Sequence, residues 1–206
     1  MTRAADSIRG LYERHARDYD RDRGRSLQEK AWLDRFLDHV RPAGTILDLG
    51  CGMGEPIGRY ILERGFDVVG LDASPSLIGI CRARFPGRAW IVADMRRPAV
   101  RRKFDGVLAW DSFFHLRADD QRAMFPVFAA HATPGAPLMF TSGSAAGESI
   151  GAWRDEPLYH ASLDPAEYRA LLSASGFTTI AYCSDDPECG GHTVWLATFD
   201  RNGAGD

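Results

Sequence analysis

Apolar positions along the 206-residue chain follow two different periods. Up to residue 40 they recur at spacings of three and four: Ile8, Leu11, Tyr12, His15 and Tyr19 in SIRGLYERHARDYD, then Leu27, Ala31, Trp32, Phe36, Leu37 and Val40 in SLQEKAWLDRFLDHV. That spacing marks one face of an α-helix, so two helices are predicted, the second capped by Ser26 and stopped by Pro42 and Gly44. From Thr45 the pattern changes to short apolar runs, TILDL, DVVGLD, AWIVAD, FDGVLAW and APLMFTS, with helical stretches near 56–64, 75–85 and 118–131 between them. Such alternation means parallel strands covered by helices on both faces. A glycine- and serine-rich loop, SGSAAGES, then runs on irregularly to His160, and a helix starts near Asp164-Pro165. The last two runs, FTTIAYCS and HTVWLATF, are separated only by DDPECGG. That link is too short for a parallel crossover, so the sheet is expected to close on an antiparallel hairpin.

With 45% hydrophobic residues the chain can bury a full core, and one domain spanning 1–206 is expected. The net charge of -3 gives no electrostatic reason to bind nucleic acid or an anionic membrane. MTRAADSIRG lacks the apolar core of a secretory signal, and no uncharged apolar run is long enough to cross a bilayer, so a cytoplasmic protein is expected. Cys51, Cys81, Cys183 and Cys189 are scattered without zinc-site spacing; they read as free thiols, with a hairpin disulfide across CSDDPEC as the alternative, and no metal is expected. The basic run RRPAVRRK at 96–103 reads as a solvated patch.

Candidate chemistry begins in TILDLGCGMGEPIGRY, where Asp48 is followed by Gly50, Gly52 and Gly54. In a doubly wound sheet a ligand lies beyond the carboxyl ends of the strands, and glycines there let the chain turn and a ligand approach without meeting a Cβ. Asp72 ends the second strand, where a carboxylate suits the two hydroxyls of a ribose. Asp94, closing the third, could accept from the exocyclic amine of adenine while Met95 packs on the ring. Strand-ending aspartates also cap helices, so their order carries more than any one of them.

ILDLGCGMG, VVGLDASPSLI, IVADM and FDGVLAW, in that order, resemble the successive motifs of the class I S-adenosylmethionine-dependent methyltransferases across residues 45–142. The resemblance implies an α/β, doubly wound, Rossmann-like sheet of seven strands in the order 3-2-1-4-5-7-6, with strand 7 antiparallel. It implies N-terminal lid helices over 1–42, a cofactor-binding core over 43–142, and a substrate loop, helix and terminal hairpin over 143–206. S-adenosylmethionine would be the cofactor and S-adenosylhomocysteine the product. Gly50, Gly52 and Gly54 would surround the methionine part, with the Cys51 backbone alongside, and Asp48 would orient the loop and reach the amino group through water. Asp72 would hold the ribose, Ala73 would lie beside the adenine, and Asp94 with Met95 would bind its edge and face. Trp110 would offer backbone contacts to the aminopropyl group, and Tyr19, with Tyr12 in the lid, would pack near the sulfonium. Glu55-Pro56 departs from the family's small or polar residues there; Glu55 either shapes the pocket or is a favourable acidic residue in a helix's first turn. A dinucleotide-binding enzyme is disfavoured, because the GxGxxG register is missed and no second domain would carry the hydride acceptor.

An activated sulfonium methyl asks the protein mainly to align a nucleophile in a dry site, with a base only where a proton must leave. Asp111 and His115 in AWDSFFHL, His160 in LYHASL and His192 in GGHTVW are the polar candidates. His115 is the favoured base, and His115, His160 and His192 are the catalytic set carried forward. Phe113, Phe114, Trp153 and Tyr159 would form an apolar wall, with the loop 143–160 as a movable cover. AWDSFF lacks the [DNS]PP[YFW] pattern of nucleic-acid amino methylation. A small-molecule acceptor is expected, with no nucleic acid and no membrane as partner, in a monomer or homodimer. The alternative is an S-adenosylmethionine-binding protein that does other chemistry with the cofactor, or none.

Overall fold

The computed structural model describes residues 2–200. The chain opens with α1 (Thr2–Arg14), α2 (Ala16–Asp22) and α3 (Lys30–Leu37), then runs β1 (Thr45–Leu49), α4 (Ile57–Glu63), β2 (Asp67–Asp72), α5 (Pro75–Arg84) and β3 (Ala89–Val92). It continues through β4 (Gly106–Ala109), α6 (Ala118–His131), β5 (Pro137–Ser142), β6 (Gly147–Trp153), β7 (Glu156–Ser162), α7 (Pro165–Ala174), β8 (Phe177–Asp186) and β9 (His192–Phe199). Seven strands form one sheet in the order β3-β2-β1-β4-β5-β9-β8. Pairing is parallel from β3 to β5, and β9 is antiparallel to both its neighbours. Numbered without β6 and β7, this is the expected 3-2-1-4-5-7-6.

The period of two in each strand divides the core between the faces of this sheet. Leu47, Val69, Val107 and Phe140 join Phe113, Phe125 and Phe128 in one cluster, while Ile46, Val68, Leu108 and Met139 join Trp32, Phe36 and Ile61 in the other. Strands buried on both faces have no polar face to show, which is why their sequences read as unbroken apolar runs. The order reverses beside β1, so the loops after β1 and β4 diverge and leave a crevice at their carboxyl ends.

Three expectations need correction. The first helix is two, interrupted at His15 (φ -107°, ψ 22°), where Glu156 of β7 takes the side chains of both Arg14 and His15. Ser26 caps nothing: Leu27 turns with φ +53°, and α3 begins only after Glu29. The supposed loop over 143–160 contains most of the β6–β7 hairpin, seven residues on each strand in continuous antiparallel register. Its outer strand GESIGAW is almost wholly exposed and so carries no apolar period; only β7 buries side chains, at Tyr159, Ala161 and Ser162.

Candidate functional site

The loop after β1 is tied to the end of β2, where the Leu71 carbonyl accepts from the N–H groups of Gly50 and Cys51 at 2.7 and 3.0 Å. Gly50 (φ +81°) and Gly52 (φ +56°) adopt left-handed conformations, and a Cβ on Gly50 would lie 2.3 Å from that of Ser112. Asp72 braces the same loop: its Oδ2 accepts from the Gly52 N–H at 3.0 Å and its Oδ1 from the Ser74 N–H at 2.8 Å. Each oxygen keeps a lone pair for a further donor. Gly54 turns away and packs on Phe85 and Trp90, so it bears no ligand-facing surface.

A cavity of about 420 Å³ lies between this loop, the strand ends and α1. Gly50, Gly52, Asp72, Ala73, Asp94 and Met95 line one side, and Tyr12, Tyr19, Asp111, Ser112 and His115 line the other. A side cavity of about 30 Å³ shares Tyr19, Gly50 and Asp111 with it and is otherwise walled by residues that include Arg23, Asp48, Cys51 and Trp110. The sequence-derived cofactor residues, Gly54 apart, therefore divide between two adjacent spaces. Asp94 is already engaged, gripped by the Arg96 guanidinium, which also reaches Asp120 at 2.8 Å and holds the Asp94 carboxyl below its usual range. Arg96 is thus part of the cavity wall, not of a free basic patch.

Burial dominates the electrostatics. It pushes the Asp48 carboxyl up to about 7, with Asp72 nearby adding to the rise. Asp72 itself is raised to about 6 by burial, against the lowering by its backbone hydrogen bonds. Tyr19 is pushed up to about 12 and Tyr12 higher still by burial, so both phenols stay protonated. The Cys51 thiol, buried beside Cys81, is likewise pushed well above its normal range.

Of the three histidines only His115 lines the cavity. Its Nδ1 faces the Tyr159 carbonyl at 2.8 Å and therefore donates, leaving Nε2 to accept from the Tyr12 hydroxyl at 3.0 Å. Burial lowers its pKa to about 4, so the ring is neutral. His160 lies behind it, its ring 4.9 Å from that of His115, and lines neither cavity. His192 also lies behind the cavity wall, with Nδ1 against the Cys189 carbonyl at 2.6 Å and Nε2 against Asp111 Oδ1 at 2.8 Å. That hydrogen bond to Asp111 raises its pKa. Of the expected apolar wall, Phe113 belongs to the core and Tyr159 turns its hydroxyl to Glu148, while Trp153 at the hairpin end packs on Tyr12, His15 and Tyr19.

Glu55 lines the side cavity, as the first of its two expected roles requires, and lies just before the Pro56 cap of α4 rather than in that helix's first turn. It binds Arg25 at 2.7 Å and also Arg59, joining the segment after α2 to the start of α4. Arg23 and Glu29 went unnoticed in the sequence, because one arginine among many in a polar link carries no periodic signal. Asp111, already a polar candidate in the sequence, is marked further by its backbone, with φ +49° and its N–H bonded to Thr141 Oγ1 at 2.9 Å. Such a conformation in a non-glycine residue is uncommon and concentrates at functional sites.

Comparison with known proteins converges on one class. Residues 46–135 match the model of the methyltransferase domain family, and the fold is the one seen in solved S-adenosylmethionine-dependent methyltransferases. Among individual relatives, the magnesium-protoporphyrin O-methyltransferase of Rhodobacter capsulatus is 36% identical over 102 residues, covering 47% of this chain and 44% of the relative. The dTDP-3-amino-3,4,6-trideoxy-alpha-D-glucopyranose N,N-dimethyltransferase of Streptomyces venezuelae is 32% identical over 118 residues, covering 54% and 49%. The chain thus spans about half the length of these curated relatives. The 1,6-didemethyltoxoflavin-N1-methyltransferase of Burkholderia thailandensis, solved with S-adenosylhomocysteine, superposes with a TM-score of 0.73 at 19% identity, covering 97% of this chain and 90% of that one. Among the described residues no helix is long and apolar enough to cross a membrane, and no group of His, Cys, Asp or Glu is arranged to hold a metal.

Proposed function

We propose that the chain transfers a methyl group from S-adenosylmethionine to a small molecule, releasing S-adenosylhomocysteine. The observation that carries this reading is that the stretch matched to the methyltransferase domain contains both Asp72 and the two left-handed glycines of the main cavity. The residues fit the cofactor: a Cβ at Gly50 would close the cradle, and Asp72 has an acceptor site left on each oxygen for a ribose diol. In this reading Ala73, Asp94 and Met95 border the adenine, while Asp48, Gly50, Cys51, Gly52 and Trp110 surround the methionine end. Gly54 supports the loop from below.

The bound cofactor supplies an electrophilic methyl that needs no further activation. This chain's residues then have to orient the acceptor and keep water out. Tyr12, Tyr19 and Trp153 form an aromatic cluster, with Tyr12–Tyr19 centroids 5.3 Å apart, and their ring faces favour a cation. Where the acceptor must lose a proton, the route we assign is the Tyr12 hydroxyl and the His115 Nε2 behind it. The His115 base thus acts through Tyr12. His160 supports that ring, and His192 acts through Asp111.

The relatives are named for acting on a porphyrin, a sugar nucleotide and a toxoflavin precursor, which supports a small molecule as acceptor. The test is incubation of the purified chain with methyl-labelled S-adenosylmethionine and a panel of hydroxylated, amino and carboxylate small molecules. Label transfer with S-adenosylhomocysteine release is expected. Methylthioadenosine as the product, or binding without turnover of any panel member, would favour other cofactor chemistry or a binding module.

A further inference from the structure

Of the two strands in the separate hairpin, β7 is covered and β6 is not. The Tyr159 carbonyl accepts from His115 Nδ1 at 2.8 Å and the Ala161 carbonyl from Gln121 Nε2 at 2.8 Å, so both point away from β6. In an antiparallel ladder their opposite numbers, Ile150 and Glu148, then turn their own N–H and C=O groups away from β7. With Ala152, two residues further on, they present a row of backbone donors and acceptors along an edge that no strand among the described residues pairs.

The main sheet's two edges are blunted. β3 is only four residues long, and the ladder of β8 on β9 is irregular between Thr179 and Ala181 and again between Cys183 and Asp186. β6 runs seven residues in unbroken register and holds neither proline nor lysine. It is exposed from Gly147 to Ala152, and Ile150 at its centre is 47% exposed.

The strand also differs in charge between its ends. Glu148 lies near the start, and Arg154 follows the end, with one guanidinium nitrogen on Asp22 and donors to spare. A reversed copy of the same strand meets that pattern. With Ile150 opposite Ile150, each Glu148 stands opposite the partner's Ala152 and diagonal to the partner's Arg154. The residues so matched are the ones whose backbone groups face outward.

We propose that β6 is an interface between two copies of this chain, joined antiparallel about a two-fold axis at Ile150 into a four-stranded sheet β7-β6-β6-β7. Such an axis closes on itself and uses up the edge, so assembly stops at two copies. A single strand pair falls short of the roughly 1,600 Å² of a standard interface, so association is concentration-dependent, with a micromolar dissociation constant.

The test is sedimentation equilibrium of the full chain from low to high micromolar concentration, where the mass should rise from 22.8 kDa toward twice that value. Ile150→Lys puts like charges on the axis and should weaken association at least about tenfold. Ile180→Lys, which charges a 40% exposed isoleucine on the β8 edge, should leave it within about twofold. Ile150→Cys should give a disulfide-linked dimer with oxidised glutathione, since opposite Cα atoms lie about 5.5 Å apart in such a pair. Glu148→Cys should link no more than the unsubstituted chain. A monomer at every concentration, a mass that climbs past two copies, a dimer that survives Ile150→Lys, or one lost in Ile180→Lys would overturn the proposal.

Discussion

Asp72 does two jobs with one carboxylate, bracing the Gly52 and Ser74 amides and facing the cavity. Asp72→Ala removes the loop brace together with the proposed ribose contact, and should weaken S-adenosylhomocysteine by about 2 kcal/mol, roughly thirtyfold, in a calorimetric titration. Asp48 makes a different prediction. Its pKa is 3.8 in an unperturbed chain and about 7 here, so the folded protein holds a proton that the unfolded chain releases. The stability this contributes is complete below about pH 4 and is lost as pH rises through 7. His115 runs the other way, since its pKa falls from 6.5 to about 4 and its share of stability is lost as pH falls through that window. The Asp48 part is isolated by comparing thermal unfolding of the free protein with that of Asp48→Asn between pH 4 and 7. The gap between the two midpoints should change steadily across that range as the unsubstituted chain loses stability relative to the variant; a constant gap would remove the buried-proton account.

At the scale of elements, the β1 loop and the β6–β7 hairpin have opposite relations to the sequence. The loop was legible because its signals are local: glycines at fixed spacing after an apolar run, and an aspartate at the end of the next strand. Gly50→Ala demands φ +81° of a residue with a Cβ that would strike Ser112, so it should abolish nucleoside binding and cost on the order of 2 kcal/mol of stability. Normal affinity in that variant would mean the loop relaxes more than close packing allows. The hairpin was not legible, because β6 faces solvent and β7 is held by long-range partners that no window of sequence contains. Those partners make it a clasp on the opening helices: Glu156 on Arg14 and His15, Arg154 on Asp22, and Trp153 on Tyr12, His15 and Tyr19. Trp153→Ala removes aromatic contacts worth on the order of 1 kcal/mol, so amide exchange in α1 and α2 should accelerate about fivefold. Unaltered exchange there would show that the helices stay down without the hairpin. The Arg23–Glu29 pair escaped the sequence reading for the same reason, since each residue acquires meaning only against the other.

Across the whole molecule, the sheet order follows from a few physical constraints that the sequence does display. Strands buried on both faces read as apolar runs, helices between them force parallel crossovers, and a seven-residue link forces the last pair to reverse. The order reverses at β1, and the crevice, the left-handed glycines and the acidic residues all fall at that point. What a sheet cannot specify is the acceptor, since the same fold carries many substrates on its variable loops. The cofactor is what the fold and cavity do define, and calorimetric titration with S-adenosylhomocysteine, with a nicotinamide dinucleotide as comparator, is the decisive measurement. One site of micromolar affinity for S-adenosylhomocysteine is expected, with no heat from the dinucleotide. Binding of the dinucleotide in its place, or no binding of S-adenosylhomocysteine by protein that unfolds cooperatively, would contradict it.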